Sequence, residues 1–248
     1  MHTSLHILVA MGIAALIAIA IAAGITTQRR LRRQAAEVRE LLLGMGLGFQ
    51  PKGDGEFIKA WAMVKPLNKG GKATSIYFGP IAGPGGDDQQ FTIFEHSYVI
   101  STGKSAQTIV HSVYAVDSPH WPEVSVTRIN PVVRWFKRTF SGRPAGTAPD
   151  SRPTFEELWG VLSKDAAFVA RWLTPEVSAA MNQLESASAW WAVGGKLVLL
   201  VKRRMSPEDA AAAIKAVQRV YAAVPAEFKE QTLGVQTTLP AASDASPA

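Results

Sequence analysis

The chain begins MHTSLHILVAMGIAALIAIAIAAGITTQRRLRRQ, and this opening limits what the rest can be. From Leu8 to Ile25 no side chain is charged or strongly polar, and Leu5 and Ile7 extend the run past His6. At 1.5 Å per residue, about 20 helical residues cross roughly 30 Å of hydrocarbon. A helix buried in a protein core usually keeps one polar face, which this run lacks over about five turns. The expectation is a transmembrane helix over residues 5–25, preceded by a short tail, 1–4.

A cleaved export signal starts with basic residues and ends in a small-residue cleavage site. Here the start carries only His2 and His6, while Arg29, Arg30, Arg32 and Arg33 follow the run. Arginines beside a membrane helix stay on the cytoplasmic side and attract anionic headgroups. The reading is an uncleaved single-pass anchor whose large part lies at the inner face of the cell membrane. An exported or outward-facing envelope protein is the alternative, reached if the run is cleaved or inverted.

The arginine collar also bears on the charge. The net charge is +6 and the pI about 9.7. Beyond the collar there is one further basic cluster, Arg134, Lys137, Arg138 and Arg143, and the remaining charges are scattered. A basic balance concentrated beside the membrane argues for topology, and no nucleic-acid partner is expected. There is no cysteine, which excludes disulfides, thiolate metal sites and cysteine nucleophiles.

Behind the anchor, residues 26–47 read as a basic amphipathic helix. Leu31, Ala35, Val38 and Leu42 share one face, and Gly44, Gly46 and Gly48 end it. An α+β domain follows over 48–230. FIKAWAMV fits a strand or a short helix equally, and KPLNKGGK is a turn or loop. TSIYFGPIAG reads as a strand. Phe91–Ile100 and Gln107–Val116 are rich in β-branched and aromatic residues around STGKS, so they pair as a long hairpin. VSVTRI resumes the sheet after SPHWPE. Residues 141–153 are loop-like, LWGVL is a short strand, and Asp165 to Trp172 a short helix. Thr174 and Ser206, each followed by proline, read as helix N-caps. Between those helices Trp190–Val193 pairs with Leu197–Leu200 around Gly194-Gly195. Long adjacent strands without intervening helices imply a mainly antiparallel sheet with late covering helices. Residues 231–248 are too polar and small to pack and read as a disordered tail.

No motif carries a reaction. GMGLGF follows a helix rather than a strand, GPGGDD lacks the lysine-serine end of a phosphate loop, and STGKS opens onto a strand. Asp87 and Asp88 read as turn residues, since calcium needs six to eight oxygens. Ser163-Lys164-Asp165 has no nucleophile elbow. His96 and His111 fall opposite or diagonal on paired strands and read as partly buried sheet residues. Glu95 faces away from His96. A cryptic enzyme site would have to join His96, His111 and Glu156. Trp135 and Phe136, between basic residues, read as loop packing or an interfacial patch. Trp190 and Trp191 face opposite sides of one strand.

The order of segments resembles a family of bacterial, chiefly actinobacterial, membrane-anchored proteins of no established activity. The resemblance rests on the helix ending in GLGF, then FTIFEHSYVISTGKSAQTIVHSVYAV, WPEVSVTRIN, FEELWGVLSKDAAFVARWLTPEV and WWAVGGKLVLLVKRRMSPE. The F-x-Y-x-Y common on the long strand of that family stands here as Phe94, His96 and Tyr98, and Trp159 replaces a common phenylalanine. The resemblance implies one N-terminal transmembrane helix and an α+β domain, and no activity. The expected function is thus a non-enzymatic membrane-anchored domain that binds a protein or lipid partner. Its lipid contact is the bilayer along residues 5–25 and the headgroups near the collar. No catalytic, cofactor or metal residue is assigned.

Overall fold

The computed structural model describes residues 2–101, 103, 105–130, 133 and 154–230, with backbone alone for 2–15. One helix, α1, runs without interruption over His2–Gly44. Its C-terminal half docks on the domain: Val38 and Leu42 are buried, and Gln34 Nε2 donates to the Met205 carbonyl at 3.1 Å. Among the described residues no helix is long and apolar enough to cross a membrane. The expected span, residues 5–25, lies within α1, but side chains are described only from Leu16 onward, and Leu16–Ile25 alone is shorter than the roughly 20 residues a bilayer requires.

The eight strands are β1 (Gly48–Lys52), β2 (Lys72–Ala82), β3 (Asp88–Ser101), β4 (Ala106–Asp117), β5 (Val124–Arg128), β6 (Trp159–Ser163), β7 (Ala187–Val193) and β8 (Lys196–Val201). They form one sheet in the order β1-β2-β3-β4-β8-β7-β5-β6, with every pair antiparallel. The long hairpin has the expected register, Phe91 opposite Val116 and Ile100 opposite Gln107. The second hairpin is tighter than expected: Trp190 pairs with Leu199 and Val193 with Lys196. Gly194 and Gly195 both adopt positive φ, 58° and 71°, which suits a two-residue turn. That turn moves the pairing one residue earlier on β8. Strand β5 does not continue from β4; it crosses to the far side and lies between β7 and β6.

The remaining helices are α2 (Gly55–Ala60), α3 (Phe155–Leu158), α4 (Ala166–Trp172), α5 (Pro175–Asn182) and α6 (Pro207–Ala223). FIKAWAMV thus starts as helix rather than strand, because Asp54 Oδ1 accepts from the Phe57 amide at 2.8 Å and caps it. A single 3-10 turn follows at Lys65–Leu67. Strand β1 and the one-turn α3, closed by a capping box between Thr154 and Glu157, were not apparent in the sequence. The caps at Thr174 and Ser206 are formed as expected, and Asp165, read as the first residue of its helix, is instead its cap. Residues 141–153, the Trp135-Phe136 pair and the tail 231–248 lie outside the described residues.

The sheet has two unlike faces. Odd and even residues of each strand separate them. On one, Phe91, Ile93, Tyr114, Val116, Trp190, Leu197 and Leu199 pack beneath α4, α5, α6 and the end of α1. On the other, Phe94, Val113, Ala115, Trp191, Val198 and Leu200 pack beneath α2, its following residues Trp61 and Val64, and the 3-10 turn's Leu67. The first layer extends to the β5–β6 end of the sheet through Val124, Val126 and Trp159. In the second cluster no residue of β5 or β6 takes part.

Candidate functional site

His96 and His111 stand directly opposite each other on β3 and β4, on the α2 face. They are more buried than expected, 1% and 2% exposed. Tyr98 lies against both rings, with centroids 5.7 Å from His96 and 5.8 Å from His111. Gly71 is required beside them. Its φ is +119°, and a Cβ there would collide with the Ser97 carbonyl and reach within 3.1 Å of His96 Nε2. His111 Nδ1 makes no hydrogen bond. Burial pushes the His111 pKa down to about 4, with His96, Lys202 and Lys69 adding repulsion of the imidazolium. Burial also lowers His96, against an opposing contribution from the Gly70 backbone. Both rings are therefore neutral near pH 7.

The structure does not bring the sequence's other candidates to this pair. Glu95 points to the opposite face, where it accepts from the Met205 amide at 2.8 Å. Glu156 sits on α3, whose Phe155 and Leu158 pack into the helix-covered layer, so His96, His111 and Glu156 share no site. Asp87 lies in the turn before β3, where its carbonyl accepts from the Gly83 amide at 2.8 Å. Asp165 is a helix cap and Ser163 bonds the Glu123 carbonyl. Among the described residues no group of three or more histidine, aspartate or glutamate side chains could hold a metal ion.

Two features remain. One is a groove of about 240 Å³ on the α2 face, between the 3-10 turn and the edge strand β6. Small residues create it. The cross-strand row Gly160, Thr127, Ala189 and Leu200 carries little volume until Leu200. Leu162, 66% exposed, stands as one wall, and Pro66 of the 3-10 turn as the other. Trp191 and His111 reach it from the floor. Lys65, Lys202 and Arg128 line it and no carboxylate does. Arg128 already donates to the Glu185 and Ala187 carbonyls. Sequence reasoning missed this groove, because side chains of β5, β6, β7 and β8, from distant parts of the chain, make it.

The second feature is α1. Leu16, Ile19 and Ile21 are 69%, 64% and 57% exposed, with no part of the described domain covering them. About two turns further on, Arg29, Arg30 and Arg33 line a cleft of about 550 Å³ with Ser206 and Glu208 at the start of α6. The collar therefore sits where the helix meets the domain.

No protein-family model matches the chain, and no curated protein matches it in sequence. In structure it is similar to the crystal structure of the mycobacterial trehalose monomycolate transport factor A, TtfA, with a TM-score of 0.53 and 11% sequence identity. The match covers 78% of this chain and 97% of that one. At this identity the likeness is one of fold.

Proposed function

We propose that this chain is a non-enzymatic domain, held by α1 at the inner face of the membrane, that binds a protein or lipid partner. The observation that carries this reading is the unpacked apolar stretch of α1. A helix that exposes Leu16, Ile17, Ile19 and Ile21 in succession has its apolar surface available to another apolar phase. The backbone continues helical back to His2, so Leu5–Ile25 would measure about 30 Å. The collar then falls at the headgroup level on the same rigid rod. Each of Arg29, Arg30, Arg32 and Arg33 would contribute on the order of 1 kcal/mol against an anionic surface. The four charges favour the orientation with the domain in the cytoplasm.

The transport-factor role named for the structural neighbour supports a partner-binding domain over an enzyme. That neighbour's mycobacterial source also suits the actinobacterial family that the motif order resembles. The separation of His96 and His111 from Glu156 removes the catalytic set the sequence suggested.

The test has two parts. Carbonate extraction of membranes should leave the full chain in the pellet, and Leu16→Lys with Ile19→Lys should release it. A C-terminal reporter active only in the cytoplasm should work, while one active only after export stays silent. A chain that washes off, or a reporter active only outside, would overturn anchor or orientation respectively.

A further inference from the structure

The groove on the α2 face is built for a ligand of definable chemistry. Its lining is predominantly apolar, with Trp191, Leu200 and Pro66 against the exposed wall of Leu162. Its volume of about 240 Å³ is just below the usual range of about 300–1,000 Å³ for small-molecule sites, which suits a slender ligand. An α-helix of ~10 Å diameter is too wide for the groove. A second copy seated symmetrically would set the same lysines against each other.

The polar features at its edge point one way. Lys65 and Lys202 are exposed, and neither has an ion-pair partner among the described residues. His111 lines the groove with Nδ1 unpartnered, although the side chain is almost fully buried. A buried polar atom without a partner is costly and normally finds one. The groove thus offers an apolar slot edged by the Ser125, Thr127 and Ser188 hydroxyls, two unneutralised ammonium groups beside Arg128, and a neutral imidazole.

We propose that this groove binds a medium-chain aliphatic carboxylate, its chain lying over Ala189 and Leu200 against Leu162 and its head held by Lys65 and Lys202. The site lies on the sheet, on the face away from the docked half of α1, and does not depend on membrane anchoring. An anion at the head position would favour the imidazolium of His111, so occupancy raises that residue's pKa from about 4 toward the ordinary value.

The experiment uses the full chain in nanodiscs of zwitterionic lipid and a ten-carbon carboxylate carrying a terminal diazirine. Photolabel should map to peptides of β5, β6 and β7. Decanoate should compete at least tenfold better than decanol. The double substitution Lys65→Glu with Lys202→Glu should lower labelling at least tenfold with an unchanged melting temperature, since both side chains are exposed. Titration of the His111 ring by NMR should shift upward with decanoate and stay put with decanol. Label confined to residues 5–25, equal competition by decanol, or undiminished labelling of the double variant would each overturn the proposal. A full chain that fails to insert is tested in solution with the same ligands and the same expected outcomes, so the two readings fail separately.

Discussion

The two faces of the sheet are made from the same strands and are finished differently. The helix-covered face extends from Leu42 of α1 to Trp159 of β6 and is closed by three capped helices. Its polar groups are tied across long sequence separations: Trp121 Nε1 donates to the Phe228 carbonyl and Gln218 Nε2 to the Ala82 carbonyl. The α2 face is covered by a six-residue helix with no buried residue and by one 3-10 turn. It holds two buried histidines, one with an unpartnered Nδ1, and ends in a groove. The first face is finished for stability. Unpartnered buried polar atoms occur on both faces, Trp172 Nε1 and Trp190 Nε1 beneath the helices and His111 Nδ1 on the α2 face, so the faces differ in the thin cover and the groove of the second.

The largest expected effect compares neighbouring tryptophans. Trp190 is fully buried beneath the helices and Trp191 borders the groove. Trp190→Ala should cost about 3–5 kcal/mol, the usual range for a large aromatic removed from a core. Trp191→Ala should cost less, about 2 kcal/mol, because the space it fills is already continuous with a groove. Urea unfolding of the full chain, followed by near-ultraviolet circular dichroism, measures both. Equal losses would mean that the α2 face is as firmly packed as the other.

Acid should act on the α2 face. His111 has a folded pKa depressed to about 4, while its unfolded value lies near 6.5. Between these values the unfolded chain binds a proton that the folded chain refuses, so stability falls as pH falls through that window. The full contribution is present above about pH 6.5, and its loss by pH 4 is on the order of 3 kcal/mol. His96, lowered for the same reason, works in the same direction. His111→Leu should flatten the slope of stability against pH between 4 and 6.5. An unchanged slope in that variant would assign the acid sensitivity elsewhere.

What the sequence revealed follows the same division. The β-branched and aromatic composition of Phe91–Ile100 and Gln107–Val116 identified the hairpin and its register, because the turn between them is short and local. Ser206-Pro207 and Thr174-Pro175 announced their helices through cap chemistry, also local. The opposition of His96 and His111 followed from strand pairing alone. Strand β1 was hidden because Gly48–Lys52, GFQPK, has neither alternation nor β-branched residues; its pairing with β2 makes it a strand. The crossover of β5 was hidden because nothing within VSVTR says which neighbours it will take. The groove was the least legible. Gly160, Thr127 and Ala189 are unremarkable singly, and only the order β8-β7-β5-β6 sets them side by side. Candidate residues chosen for their chemistry, such as Glu156, were separated by a face of the sheet that the sequence does not number.

The smallest effect tests the comparison most finely, because it applies one chemical change to both faces. Ser206 Oγ accepts from the Asp209 amide at 3.1 Å and caps α6, while Asp54 Oδ1 accepts from the Phe57 amide and caps α2. Removing such a cap typically costs about 1 kcal/mol of helix stability. Ser206→Ala should appear in full in global unfolding, since Ala213, Ile214 and Val217 of α6 are part of the main core. Asp54→Ala weakens a helix that buries no residue of its own. A segment of that kind opens locally at low free energy without unfolding the rest. Its loss should therefore hardly register in urea and should instead speed amide hydrogen exchange over 55–64. Equal shifts in global stability would show that α2 is as tightly coupled to the sheet as α6. Faster exchange confined to 55–64 would show that the cover beside the groove moves by itself. The 3-10 turn that forms the groove wall follows directly on that segment, so the same measurement on Lys65 and Leu67 reports whether the wall moves with it.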